Sequence, residues 1–419
     1  MTNTIFYIII AILAFDFLFE RFLSWLNISK IQYSLPAELL GIYDEEKYAT
    51  QQRYFRINQR FGLVTSSFSF LLTFGFLVFG GFGWVDALVR GITENEVFVS
   101  LLFFGIIFIV NDLLSIPFEI YDTFLIEERF GFNKMTPKIF IFDKLKAYAL
   151  TGILGGGILW LIITVFNLMP EYFWLIAWGI VALFAIFMNM FYSNLIVPLF
   201  NKQTPLEAGE LRSKIEDFCT KAGFSLKNVY VIDGSKRSTK ANAYFSGLGA
   251  KKRVVLYDTL IQDLSQEEIV AVLAHEIGHY KKKHTFVALL FSLITTGLMF
   301  WLLSLFLNNL KEPLSQALGS SHPSFHLSLL AFGVIYIPVS MILSIGMHVM
   351  SRRNEYQADA FAAAYGFADE LIGGLKKLSV KSLSNLLPHL AYVFVHYSHP
   401  TLLQRMKALR EEVREVKGS

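Results

Sequence analysis

The chain has 419 residues, of which 54% are hydrophobic, 16% aromatic and only 17% charged, far more apolar than an ordinary soluble domain. Its 37 basic and 34 acidic residues leave a formal net charge of +3. With the basic residues interleaved among carboxylates, that balance argues against a nucleic-acid partner. Cys219 is the single cysteine, which rules out an intrachain disulfide and a cysteine-built zinc site, so any metal must be held by His, Asp or Glu.

In chain order, the first apolar run covers residues 5–26. No basic residue precedes it and no small-residue cleavage site follows, so it reads as a retained membrane helix. A window of about 20 residues, enough to cross roughly 30 Å of hydrocarbon, adds spans at 62–85, 97–118, 147–166, 172–195, 286–307 and 327–350. The third is interrupted by Asn111, Asp112, Pro117 and Glu119; charges at such depth face protein or a wet cavity, because lipid exposure costs several kcal/mol.

Lys and Arg accumulate after span one (Lys30, Lys47, Arg53, Arg56, Arg60) and after span three (Arg129, Lys134, Lys138, Lys144, Lys146), whereas the alternate loops carry little beyond Arg90 and Lys311. The positive-inside rule then puts the N-terminus outside or in a lumen, and the segment 198–284 and the tail from Ser351 in the cytoplasm. The same orientation suits a bacterial inner membrane or an endoplasmic reticulum. The expected organisation is five spans with their loops in 1–197, a cytoplasmic insert in 198–284, spans six and seven in 285–350, and a cytoplasmic C-terminal part in 351–419. The fold class is mainly α: a polytopic membrane protein of about seven helices with a small mixed subdomain.

Within the insert, 207–222 has helical periodicity, 229–232 and 253–257 are short β-branched runs, and 242–246 lies between them before Gly247-Leu248-Gly249. Ser265-Gln266-Glu267-Glu268 is a capping box, with Leu264 and Ile269 placed as its hydrophobic staple, so a helix begins there. That helix carries His275-Glu276-Ile277-Gly278-His279. At this spacing both imidazoles project from one face to share a metal, with Glu276 beside them as a general base.

A chance match to this motif is not negligible in a chain with nine histidines, so a third ligand is needed. Glu355 supplies it, and Asp359, one turn further along Glu355-Tyr356-Gln357-Ala358-Asp359, can bond the far nitrogen of a ligating His and fix its tautomer. The bland alternative is a solvated face paired with Arg352 or Arg353. Two His, one Glu and an open position point to one zinc ion and hydrolysis, with Glu276 moving a proton from the attacking water to the leaving amine. His399 and Arg405 suit either an electrostatic role at the oxyanion or a structural turn with an ion pair to a carboxylate such as Asp359.

These residues resemble those of the type I CAAX prenyl endopeptidases, integral-membrane zinc proteases of the gluzincin type. The likeness runs through Glu127-Glu128-Arg129-Phe130-Gly131-Phe132-Asn133-Lys134, Pro198-Leu199-Phe200-Asn201-Lys202, Pro205-Leu206-Glu207 and Ser235-Lys236-Arg237-Ser238. It continues in Asn242-Ala243-Tyr244-Phe245 with Gly247, Tyr257-Asp258-Thr259-Leu260, the two zinc-ligand segments, and His399-Pro400 through Arg405. The resemblance implies seven helices around a large water-filled chamber with zinc at its cytoplasmic end. It also implies that His399 and Arg405 belong to the site, and that Asn242, Ala243, Tyr244 and Phe245 form an edge strand binding extended substrate. One departure is Lys240, where the family often has His.

The favoured function is endopeptidase action on membrane-associated or prenylated polypeptides, the partners being a peptide or lipidated protein and the bilayer. A quality-control protease for misfolded or translocation-stalled membrane proteins uses the same chemistry. A seven-span transporter or receptor with an accidental metal motif would instead use Asp16, Glu20, Asp112 and Glu119.

Overall fold

A computed structural model describes residues 2–32, 34–224, 229–246 and 253–418; Gly247, Leu248 and Gly249 lie outside them. The chain opens with α1 (Thr2–Ile28), α2 (Glu45–Val78), the short α3 (Gly81–Arg90), α4 (Glu96–Glu127), α5 (Pro137–Leu168) and α6 (Pro170–Phe200). Next come β1 (Gln203–Pro205), α7 (Glu210–Lys221), β2 (Val229–Ile232), β3 (Ala243–Ser246), β4 (Arg253–Tyr257), α8 (Asp258–Asp263) and α9 (Gln266–Lys281). The remainder is helical: α10 (His284–Ala317), α11 (Phe325–Ile335), α12 (Ile337–Ala364), α13 (Ala368–Lys381), α14 (Leu390–His396) and α15 (Leu402–Gly418).

Helices α1, α2, α4, α5, α6 and α10 are long and apolar enough to cross a bilayer, and α11 with α12, bent by 53°, makes a seventh span if the two are counted as one. The bend falls at Tyr336–Ile337, just before Pro338, whose ring cannot supply a backbone N–H to a continuous helix. Several helices are longer than hydropathy alone indicates. Helix α2 starts at Glu45 rather than at residue 62, because the Asp44 side chain caps it by accepting from the Lys47 N–H at 2.7 Å; a cap, not apolarity, sets that end. Lys47, Arg53, Arg56 and Arg60 are therefore on a helix, not in a loop. Its other end comes at Val78, short of residue 85, because Gly80 adopts a left-handed φ of 70°.

The spanning windows of these six helices are only 6–17% buried within the protein, and large apolar side chains such as Phe15, Leu18, Phe22 and Trp25 are exposed. A helix with so little cover has neighbours at its flanks but not on its faces. The neighbours close a circuit: α1 lies against α2 and α10, α10 against α6, α6 against α5, and α5 against α4. Phe68 on α2 meets Phe118 on α4 with ring centres 5.1 Å apart, completing it. At the end remote from the sheet, buried Asp86 on α3 accepts from Ser320 at 2.6 Å and pairs with His326 at 2.9 Å and Arg90 at 3.0 Å.

The sheet order is β1-β2-β4-β3, with β2 and β4 parallel and the outer pairs antiparallel. Strand β1 has no counterpart among the runs read from apolar pattern; three residues with two exposed carry too little periodicity. Its core joins Ile215 and Phe218 of α7, Val254 and Leu256 of β4, Ile269, Leu273 and Ile277 of α9, and Leu409 of α15 with Leu39 and Tyr43 from the turn after α1. Ion pairs stitch this unit to the membrane helices: Arg237 binds Asp143 at 2.8 and 3.0 Å. Backbone bonds join Lys134 to Arg237 and Thr239 to Phe132, each at 3.0 Å.

Helix α12 runs unbroken past residue 350 and brings its last turns against α9. The contact is built from Ala274 and Gly278 facing Ala358 and Ala362, all buried. A Cβ at Gly278 would meet the Ala358 Cα at 3.1 Å, tighter than ordinary contact, so a side chain here forces the helices to give. Gly278→Leu should therefore push the helices apart and cost about 1–3 kcal/mol by overpacking, read as a lower Tm in detergent. Gly346→Leu, where a Cβ meets open space, should not lower Tm, since Leu also favours the helix more than Gly does.

Candidate metal centre

Helix α9 starts where the capping box places it: the Ser265 Oγ accepts from the Glu268 N–H, and the Glu268 carboxylate accepts from the Ser265 N–H at 2.8 Å. Two turns on, His275 and His279 stand one turn apart, and their Nε2 atoms converge to 3.1 Å. Glu355 on α12 meets them, its carboxylate oxygens 3.5 Å from His275 Nε2 and 3.2 Å from His279 Nε2. Ligand atoms around a tetrahedral ion with bonds of about 2.0–2.1 Å stand about 3.3 Å apart. The two imidazole nitrogens have about that spacing, and with one ligand atom from each of the three side chains the set lies within 4.8 Å, the group of His, Cys, Asp and Glu among the described residues that could hold a metal ion. Glu355 Oε2 is buried, with the Arg405 Nη1 3.3 Å away and no hydrogen bond made to it.

Asp359, one turn beyond Glu355, accepts from His275 Nδ1–H at 2.8 Å, which leaves Nε2 unprotonated toward the metal. Arg405, buried on α15, donates Nε and Nη2 to both Asp359 oxygens at 2.8 and 2.6 Å, and its Nη1 lies 3.3 Å from Glu355. The ion pair with Asp359 that the sequence left open for Arg405 is thus present. His399 comes from the turn before α15, with Nε2 3.3 Å from Glu355 Oε1 and its side chain mostly exposed. Glu276, half-buried, lines the same 370 Å³ cavity as His275, His279, Glu355, His399 and Arg405. Burial pushes its carboxyl above the ordinary range while His275 and His279 oppose that rise, which favours a general base.

Strand β3 is at the sheet edge, and Asn242 and Ala243 line the cavity. Asn242 also lines an adjoining cavity of 650 Å³ with Tyr244, Tyr192, Phe200 and Tyr257. Tyr244 therefore faces away from the metal ligands, its hydroxyl near Ser193 and Gln203; of Phe245 only the backbone is described, paired with Val254. Lys240 is anchored outside the cavity, bonding Glu127 at 2.6 Å and the Tyr54 hydroxyl at 3.1 Å. Cys219 is buried with its thiol pushed up to about 11 by burial, so it offers no thiolate. Three of the four charges that a transporter would use are paired: Lys144 holds Asp112 at 2.9 Å and Glu119 at 2.8 Å, and His396 lies 3.3 Å from Glu20.

Two residues at the centre escaped sequence reasoning. His284 Nδ1 lies 3.0 Å from His279 Nδ1, and His284 Nε2 lies 2.9 Å from Gln357 Oε1. Their signal in the sequence was slight, a third His five residues past the motif and a Gln two past Glu355.

A bundle of membrane helices whose polar end carries two His, a Glu and an adjacent carboxylate base is the architecture of a membrane-embedded metallopeptidase. Residues 24–202 match the family described as CAAX prenyl protease N-terminal, five membrane helices, and residues 205–413 match peptidase family M48. The chain is 35% identical to the CAAX prenyl protease 1 homolog of Arabidopsis thaliana, covering 94% of this chain and 95% of that one. It is 34% identical to CAAX prenyl protease 1 of Saccharomyces cerevisiae, with 94% and 92% covered. The crystal structure of S. mikatae Ste24p is similar throughout, with a TM-score of 0.91 at 33% identity over 97% of this chain and 99% of that one. The chain belongs to peptidase family M48, in the branch with a CAAX prenyl protease N-terminal part, and is a multi-span membrane metalloendopeptidase.

Removing the carboxylate behind His275 should loosen the centre without emptying it: Asp359→Ala is expected to weaken zinc binding about 10–100-fold, measured by chelator competition on purified protein. Glu355→Ala or His279→Ala should abolish stoichiometric zinc.

Proposed function

We propose that this chain is a zinc endopeptidase that cleaves extended, membrane-associated polypeptides, with prenylated CAAX-type C-termini as its substrates. The observation that carries the reading is the convergence of His275, His279 and Glu355, with one ligand atom from each within 4.8 Å of the others, beside Glu276 and a sheet edge. The substrate class is carried over from what the relatives are named for. Zinc held by His275, His279 and Glu355 would supply a Lewis acid for the scissile carbonyl and acidify water near neutral pH.

The protein's own groups do the rest. Glu276 takes a proton from the attacking water and delivers it to the leaving amine. His399, reaching in from the turn before α15, donates to the carbonyl oxygen as it gains charge, and the Arg405 guanidinium adds positive potential behind Glu355 and Asp359. Substrate joins the free side of β3 through backbone hydrogen bonds, which accept many sequences. The adjoining 650 Å³ cavity, where Tyr192, Phe200, Tyr244 and Tyr257 mix with Asn189, Asn201 and Asn242, leaves room for side chains of the bound chain. A cytoplasmic position for this end of the bundle is supported by the excess of Lys and Arg between the spans on that side.

Glu276→Gln should keep its zinc and lose cleavage of a prenylated peptide by about 10²–10⁴-fold. Cross-linked in cells, the inactive variant should enrich prenylated C-termini; enrichment of unrelated membrane proteins alone would contradict the substrate class and favour a quality-control protease. His399→Ala should likewise keep zinc while kcat falls about 10²–10³-fold, measured at saturating peptide.

A further inference from the structure

Two imidazoles can meet a cation through Nε2 only if each carries its proton on Nδ1, and a neutral imidazole has no fixed preference between its nitrogens. Asp359 settles the matter for His275. His279 has no carboxylate at its Nδ1. Its partner there is another histidine, His284, which is buried.

We propose that His284, held by Gln357, is a positioning residue that locks His279 into the tautomer presenting Nε2 to the metal. The direction of the chain of hydrogen bonds follows from its far end. Gln357 Oε1 can only accept, so His284 Nε2 carries the proton. His284 Nδ1 is then a lone pair, and His279 Nδ1–H donates to it across 3.0 Å. His279 Nε2 is left as a lone pair, pointing at His275 Nε2 and Glu355. Turning the Gln357 amide over reverses every donor, puts a hydrogen on His279 Nε2, and closes that position to a cation. One amide orientation therefore decides whether the second ligand can ligate.

The backbone is bent to make this contact. In an uninterrupted helix His284 would sit about 140° around the axis from His279. Instead α9 stops at Lys281, and Lys283 adopts a left-handed φ of 60° before α10 begins at His284. That conformation is uncommon for a residue with a side chain, and its local cost is held by the surrounding structure. The turn returns the His284 ring to His279, with the rings 5.1 Å apart. Gln357 rides on the same helix as Glu355, so α12 supplies one ligand directly and orients another.

The proposal rests on zinc being held by His275, His279 and Glu355. Its test is the zinc dissociation constant of the purified full-length protein, measured by chelator competition, together with the visible absorption of the cobalt-substituted form. His284→Phe removes the acceptor and should weaken zinc about 10–100-fold. His284→Asn, whose carbonyl oxygen can accept from His279 Nδ1–H, should bind close to wild type and keep the wild-type cobalt spectrum. Gln357→Met should weaken zinc in the same direction as His284→Phe, and it carries the test if the Phe variant does not fold. Wild-type affinity in both His284→Phe and Gln357→Met would overturn the proposal, as would equal loss in His284→Phe and His284→Asn. Failure of the zinc reading itself has a different signature: wild type would hold no more zinc than His279→Ala.

Discussion

Two imidazoles and a carboxylate converge mostly out of water, and a cation among them would offset both their mutual repulsion and the cost of burying them. Everything near the His275–His279–Glu355 cluster serves that constraint. Arg405 neutralises Asp359 and leans on Glu355, Asp359 turns His275, and His284 with Gln357 meets the back of His279. The small faces of α9 and α12 bring the two halves of the shell close enough to share one ion, because Gly278 and Ala358 leave no side-chain bulk between them. A buried arginine with two carboxylate contacts would be costly alone; here its desolvation is offset by bidentate bonding.

The same constraint joins the membrane to the chemistry. Helix α12 spans with α11 and then continues into the site with Glu355 and Asp359 aboard, while α10 starts at His284, directly behind His279. The catalytic helix does not itself run on into the bilayer: α9 and α10 are separate helices joined through Lys282 and Lys283. The join is nonetheless only two residues long, so His275, His279 and Glu355 sit at the end of the bundle and movement of α10 or α12 would displace them. The clip between Asn133–Lys134 and Arg237–Ser238, and the pair Arg237–Asp143, hold the sheet over that end.

Much of this was legible in the chain because the signals are local. A capping box, a His–His spacing of one turn and a Glu–Asp spacing of one turn each depend on helical periodicity alone, and Ser265, His275, His279, Glu355 and Asp359 stand where those rules put them. The spans were legible as apolar runs, but their ends were not, since Asp44 and Gly80 set the limits of α2 through capping and a left-handed turn. What stayed hidden depends on contacts between distant segments. Gln357 and His284 are 73 positions apart, Lys240 and Tyr54 are 186 apart, and no local pattern marks either pair. The Arg405–Asp359 bond was readable only as one of two options, because charge complementarity names partners without saying which pair forms. Tyr244, read as a member of the substrate strand, turns to the neighbouring cavity because alternate residues of a strand face opposite sides.

The measurement that reaches the central claim most directly is X-ray absorption at the zinc edge on the purified, catalytically active protein. Two imidazole nitrogens at about 2.0–2.1 Å, carboxylate oxygen at about 2.0–2.2 Å and one further light atom are the shell expected of His275, His279, Glu355 and an open position. A sulfur scatterer, a single imidazole, or active protein with no zinc would contradict it.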